Sequence, residues 1–271
     1  MIAKIFLILL LLPVAKIPAQ SVLSNGGARN EALAGQSAVS VDQWALWRNP
    51  AGLSYQEASS IAFGVRYMPI INIPARSALL ALDTRMGWFA SGVSAFGDDL
   101  YNEQMISVAF AHKLGATSLG VRTDIFQLSI DGNNVKRTVG VTIGGITALG
   151  TRVMIGGVAR NLNLPQWVKG HPLPVVLAAG ILFVASENFC AIAEVEKDTD
   201  FEPTIKSAVE YSLRKKFFIR TGFNLFPDAA FGGFGFRAWR LGVDYALKWG
   251  YLPGYSQQVS LSISISNRTN R

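Results

Sequence analysis

Residues 259–266 alternate apolar and polar without a break: Val259, Leu261, Ile263 and Ile265 against Ser260, Ser262, Ser264 and Ser266. A strand turns successive side chains to opposite faces, so this stretch presents one apolar and one hydroxylated face. A soluble sheet could use that pattern once. Looser versions recur here along most of the chain, and repeated alternating segments of about ten residues are the signature of an outer-membrane β-barrel.

The start of the chain predicts export. Met1 to Lys4 is a short basic region, Ile5 to Leu12 is apolar, and Pro13 breaks any helix. Ala15-Lys16-Ile17-Pro18-Ala19 followed by Gln20 places small residues near a cut, so residues 1–20 read as a cleaved signal peptide. The apolar run is well short of the roughly 18 residues that a spanning helix needs. No later stretch is long and apolar enough for one either. Yet 50% of the residues are hydrophobic and only 16% are charged. An exported, apolar chain without a spanning helix leaves the closed barrel, in which every backbone group is paired.

The remaining residues divide into a segment at 21–57 and an antiparallel barrel at 58–271. Strands are predicted at 59–68, 76–83, 86–96, 103–113, 116–127, 136–145, 150–160, 173–185, 188–197, 204–213, 216–226, 230–237, 238–249 and 256–267. That makes about 14, an even number as single-chain bacterial barrels require. The turn between the twelfth and thirteenth is expected around Arg237-Ala238. The longest connection is 161–172, with another at 250–255. Both are assigned to the outer face, and the Phe96 to Glu103 connection to the periplasmic one.

Faces follow from the alternation. Leu119, Val121 and Ile125 oppose Arg122 and Asp124; Val209, Tyr211 and Leu213 oppose Glu210; Phe217, Ile219 and Phe223 oppose Arg220. Leu241, Val243, Tyr245, Leu247 and Trp249 oppose Arg240, Asp244 and Lys248. Charge on the lipid face costs about 2–4 kcal/mol at the midplane, so Arg122, Asp124, Glu194, Glu210, Arg220, Arg240, Asp244 and Lys248 are expected in the lumen. The mixed signs suit a paired network filling a narrow interior, since unpaired buried charge is expensive; a polar conduit is the other reading. Trp88, Tyr101, Trp167, Trp239, Trp249, Tyr251 and Tyr255 lie near strand ends and are candidates for interfacial girdles.

Catalytic, metal and cofactor signals are missing. His112 and His171 lie far apart and Cys190 is the lone cysteine, so they make no zinc set. Gly144-Gly145 and Gly232-Gly233 are strand glycines with no helix start after them. Asp98-Asp99 and Asp131-Gly132-Asn133-Asn134 are turn chemistry. The chain reads as no enzyme, with no cofactor. Its net charge of +7, falling to +5 when Lys4 and Lys16 leave with the signal, is scattered, so nucleic acid is not an expected partner.

Gly27-Ala28-Arg29, then Ala32-Leu33-Ala34-Gly35-Gln36-Ser37-Ala38-Val39, then Trp47-Arg48-Asn49-Pro50-Ala51-Gly52-Leu53 resemble the N-terminus of the PorV/PorQ family, relatives of the FadL-type fatty-acid transporters. Val158-Ala159-Arg160-Asn161-Leu162, Glu194-Val195-Glu196-Lys197, Glu210-Tyr211 and Val243-Asp244-Tyr245-Ala246 continue the likeness in order. The resemblance implies a 14-strand barrel with its N-terminal segment in the lumen, a Bacteroidota-type outer membrane and a link to type IX secretion. The function it implies is that of an accessory or docking subunit, with lipids and a protein of an outer-membrane complex as partners. The alternative is a FadL-like transporter of small hydrophobic molecules. A lateral opening and an apolar lumenal pocket would favour transport; few apolar lumenal residues lean against it.

Residues 27–53 are too polar for a lipid-facing strand, yet carry Leu33, Val39, Trp44, Leu46, Trp47 and Leu53. Each gains about 1.5–3 kcal/mol on burial, which predicts a plug near the periplasmic end. Arg29 and Arg48 would meet Glu194 or Glu210. A periplasmic arm packed on a partner is the competing placement.

Overall fold

A computed structural model describes residues 26–168, 170–250 and 254–265. The predicted signal and residues 266–271 lie outside them. The chain forms β1 (Ser60–Met68), β2 (Ile73–Thr84), β3 (Gly87–Gly97), β4 (Tyr101–Leu114), β5 (Thr117–Ile130), β6 (Lys136–Leu149) and β7 (Val153–Arg160). A small hairpin follows, β8 (Gln166–Val168) with β9 (His171–Pro172). The wall resumes with β10 (Val176–Ser186), β11 (Phe189–Asp198), β12 (Thr204–Leu213), β13 (Phe217–Leu225), β14 (Ala229–Ala238), β15 (Leu241–Gly250) and β16 (Tyr255–Ser264).

All wall strands pair antiparallel with their neighbours in chain order, β7 pairs β10, and β16 returns to β1 from Ser60↔Ser264 to Tyr67↔Gln257. The sheet is a closed barrel of fourteen strands, the number expected, and closure leaves no unpaired edge. Alternation sets which side chains face where. Val108, Val121, Ile181, Phe223 and Val259 are exposed on the outer wall, while Ala109, Arg122, Leu182 and Ser260 are buried within. An exposed apolar band around a closed sheet suits a hydrocarbon surround.

β1 starts at the end of the barrel where β16 finishes, here the terminal end. Turns there are short, at 85–86, 115–116, 150–152, 187–188, 214–216 and 239–240. Connections at the opposite, loop end include 69–72, 98–100, 131–135, 161–175 and 199–203. The Phe96 to Glu103 connection belongs with these. It is the third connection, and odd-numbered ones cross to the loop end, so its assignment to the periplasmic side is corrected. The β14–β15 turn falls at Trp239-Arg240, two residues later than expected.

Residues 26–56 sit inside the sheet. They form a short helix, α1 (Gly27–Ala32), and two 3-10 turns, Gln43–Trp47 and Pro50–Tyr55. Each 3-10 turn is started by its own cap. Asp42 accepts from the Trp44 amide and Asn49 from the Ala51 amide, and Pro50 takes the first position, where no amide is needed. Nearly every residue from Gly26 to Ser54 is buried or half-buried. Trp44, Leu46, Trp47 and Leu53 pack into one apolar cluster with Ala62, Leu79, Trp88, Ala90 and Ala109 of β1 to β4. Leu33 and Val39 pack into another with Leu182, Ile192, Ala208 and Phe231.

Candidate functional site

The lumen has a charged part and an apolar part, and strand register separates them. In the charged part, Glu194 accepts from the Ser37 amide at 2.7 Å, the Ala38 amide at 2.6 Å and Lys206 Nζ at 3.1 Å. Lys206 also reaches Glu196 at 3.1 Å, and Arg160 meets Glu196 at 2.7 Å. Arg29 makes a two-pronged pair with Glu210, at 3.0 and 2.9 Å, and reaches Asp42 at 3.3 Å. Such forked pairs fix orientation as well as charge. Arg220 bridges Glu210 to Asp244, with the second contact at 2.8 Å, and Arg237 meets Asp244 at 2.7 Å. Arg122 pairs with Asp124 at 2.8 Å and donates to the Leu46 carbonyl at 2.9 Å and the Thr142 hydroxyl at 3.1 Å.

Most of the expected lumenal charges therefore face inward and meet: Arg122 with Asp124, Glu210 with Arg220, and Arg220 with Asp244. Glu194 lies on the same wall with Lys206. Lys248 turns inward over the Phe231 ring, 5.6 Å from its centroid. Arg240 is different. It is exposed in the two-residue β14–β15 turn, over the Trp239 ring, because the strand ends before parity can carry it inside. Arg48 meets Glu31 at 3.8 Å and the Gly35 carbonyl at 3.1 Å, both within its own segment, rather than Glu194 or Glu210. The inward Arg66, Glu103, Arg160, Glu196 and Lys206 were not singled out from the sequence. The alternation held the signal, since Arg66 stands between outward Val65 and Tyr67.

The segment residues Arg29, Gly35, Arg48, Asn49, Pro50, Ala51, Gly52 and Leu53 come together in this interior. Gly35 has φ +61° and its carbonyl accepts from Arg48 and from Lys206. Asn49 Nδ2 donates to the Ala38 carbonyl at 2.6 Å and to the strand carbonyl of Gly157 at 3.1 Å. A Cβ at Gly52 would lie 1.7 Å from the Ser40 oxygen, and one at Gly144 2.0 Å from Asn49 Oδ1. Glycine is needed at both for close approach. The Ala51 carbonyl accepts from Ser118 Oγ at 2.7 Å.

Toward the loop end the lining changes. Met68, Ala75, Phe96, Met105 and Phe126 are buried in the lumen, with Leu173 from the 161–175 connection and Ile73, Tyr101 and Trp167 packed against them. Trp167 meets Phe126 edge-on at 6.5 Å. The expectation of few apolar lumenal residues is overturned here, because Met105, Phe96 and Phe126 share the inward register with polar neighbours. Of the expected girdle aromatics, Trp88 and Trp167 turn inward or pack within, Trp239, Trp249 and Tyr255 are exposed, and Tyr251 lies outside the described residues.

The wall beside this region is irregular. β7 pairs with β6 only from Ile143 onward. Beyond that, Asn163 substitutes for a strand: its Oδ1 accepts from the Val141 amide at 2.9 Å and its Nδ2 donates to the Val139 carbonyl at 2.7 Å. An open depression of about 610 Å³ lies on the outer wall alongside, lined by the exposed Leu119, Ile143, Leu162, Leu177 and Val195 with Gly157. Among the described residues no group of three His, Cys, Asp or Glu could hold a metal ion.

The barrel resembles solved structures in its fold. It matches the TodX monoaromatic hydrocarbon channel deltaS2 mutant with a TM-score of 0.69 at 11% identity, over 89% of this chain and 98% of that one. It matches the Pseudomonas putida toluene transporter TodX with a TM-score of 0.68 at 11% identity, over 88% and 96% of the two chains. No protein-family model and no curated protein matches the chain. The fold is the closed fourteen-strand barrel of these TodX structures, and the narrower PorV/PorQ resemblance gains no support from these comparisons.

Proposed function

We propose that this chain is an outer-membrane conduit for small hydrophobic molecules, without catalytic activity, in a Gram-negative cell. The observation that carries the reading is the apolar loop-end lumen of Met68, Phe96, Met105, Phe126, Trp167 and Leu173. A barrel serving ions or sugars gains nothing from such a lining, whereas an apolar solute gains about 25 cal/mol per Å² buried. The fold shared with a toluene transporter supports it. So does the short β7, where the Asn163 side chain and the Leu162 amide take over the β6 edge beside an apolar depression of the outer wall. The test is entry of the fluorescent hydrophobe N-phenyl-1-naphthylamine into cells of a Gram-negative host carrying the folded barrel. A faster initial rate than in cells carrying an unrelated barrel at equal level is expected. Equal rates would sink the proposal.

A second reading rests on the filled interior. Residues 26–56 are held in the lumen by the Arg29–Glu210 pair and by the Ser37 and Ala38 amides on Glu194, which suits an accessory barrel that docks a protein partner as the PorV/PorQ resemblance implies. Gentle solubilisation followed by mass spectrometry decides between them. A stoichiometric protein partner favours docking, and co-purified small hydrophobes favour the conduit.

A further inference from the structure

Glu103 stands in the apolar loop-end lumen with half of its carboxylate unanswered. It is 2% exposed. Its cross-strand neighbours are Phe96 on β3 and Leu128 on β5, and the next inward residue along β4 is Met105. The Tyr101 hydroxyl donates to Oε1. Oε2 is buried with no hydrogen-bond partner. Two further polar atoms of this region share that condition: Trp167 Nε1, whose ring packs on Phe126, and Ser94 Oγ, opposite Met105. Buried polar atoms are almost always paired, and a carboxylate oxygen left alone among methionine and phenylalanine is costly. Glu103 Oε2 as acceptor, Trp167 Nε1 as donor and Ser94 Oγ, able to act as either, are unsatisfied among mostly apolar neighbours, and they describe a ligand with an apolar body and one small polar group.

We propose that Glu103 and Trp167 form a selectivity site for small hydrophobic molecules bearing a hydroxyl group, such as phenols and alcohols. The proposal rests on the conduit reading and names its substrate class. A hydroxyl donates to Glu103 Oε2 and has lone pairs for Trp167 Nε1, so it answers both kinds of atom. A carboxylate ligand places like charge beside Glu103. An ammonium must shed its hydration in an apolar lining, which is far more expensive than for a hydroxyl. A plain hydrocarbon leaves Glu103 Oε2 and Trp167 Nε1 unpaired. Discrimination of this kind comes from the site's own buried polar groups more than from the ligand's size.

The test compares p-cresol with toluene, which share a methylated ring and differ by the hydroxyl. Binding to the full-length, detergent-folded protein is measured by equilibrium dialysis, alongside the uptake assay. p-Cresol should bind wild type about tenfold more tightly than toluene, the effect of one hydrogen bond to a charged acceptor. Glu103→Leu should abolish the preference while toluene binding stays. Trp167→Phe, which keeps the ring on Phe126, should shrink it to about threefold and guards against a Glu103 variant that does not fold. Equal affinity for the two compounds in wild type, as a buried water or a merely structural carboxylate would give, overturns the site while uptake continues. A preference that both variants leave intact overturns it too. Loss of all binding together with absent uptake overturns the conduit reading as well.

Discussion

Glu194→Ala should unhook the N-terminal segment from the wall while the barrel stays closed. Glu194 is 2% exposed and takes two backbone amides and one ammonium, at 2.7, 2.6 and 3.1 Å. Hydrogen bonds to a charged group are each worth about 1.5–3 kcal/mol. Their loss is only partly offset, because Lys206 keeps Glu196 at 3.1 Å and the strand pairing of β11 with β10 and β12 is untouched. Breaking one partner of a buried pair costs about 3–5 kcal/mol, so the equilibrium for release of residues 36–38 should rise by about a hundredfold to a few thousandfold. The assay is limited trypsin digestion of the folded protein in detergent, with mass spectrometry of new N-termini at Asn30 and Asn49. Wild type should resist at both sites because Arg29 and Arg48 are paired inside. The variant should be cut there, while circular dichroism still reports intact sheet. Equal resistance in both proteins would refute the argument, and so would rapid cleavage of wild type.

Four other outcomes follow from the same geometry. Trp47→Phe removes the indole donor to Ser107 Oγ at 2.9 Å and should cost about 1 kcal/mol, lowering the thermal midpoint by about 2–4 °C. Gly52→Ala pushes a methyl group into the Ser40 carbonyl and should destabilise by about 1–3 kcal/mol, read as an earlier shift in heat-modified gel mobility. Val108→Arg, at a site 56% exposed near the middle of β4, should lose about 2–4 kcal/mol in refolding into lipid vesicles. Trp239→Arg, in a fully exposed turn, should lose close to nothing by the same titration.

The strands were legible because a membrane barrel has two opposed solvents, and each residue must choose. Ser60–Met68 and Thr204–Leu213 fall within a residue of the expected 59–68 and 204–213. Charge then marked the inner face, so Arg122, Asp124, Arg220 and Asp244 could be placed from parity alone. Parity is silent about where a strand stops, and Arg240 was misplaced for that reason. It is also silent about inward apolar residues, since Met105 and Phe126 look the same on either face until a neighbour such as Glu103 fixes the register. The small hairpin of Gln166–Val168 with His171–Pro172 carries no alternation long enough to read. The β6 edge that Asn163 satisfies is a tertiary arrangement between residues 22 apart, with no periodic signal.

The segment inside the barrel also straddles the seam between the first strand and the last. Its 3-10 turns lie against β2 to β6, strands made early, whereas α1 lies against β13 to β16, made at the end. The Ala28 amide donates to Ser260 Oγ at 3.1 Å, a contact between residues 232 positions apart. Contacts across so long a loop form late, because the chain must give up much of its freedom first. The 3-10 turns can therefore seat on the early strands first and give the growing sheet a core to wrap around, while α1 gains its last contacts as β16 meets β1.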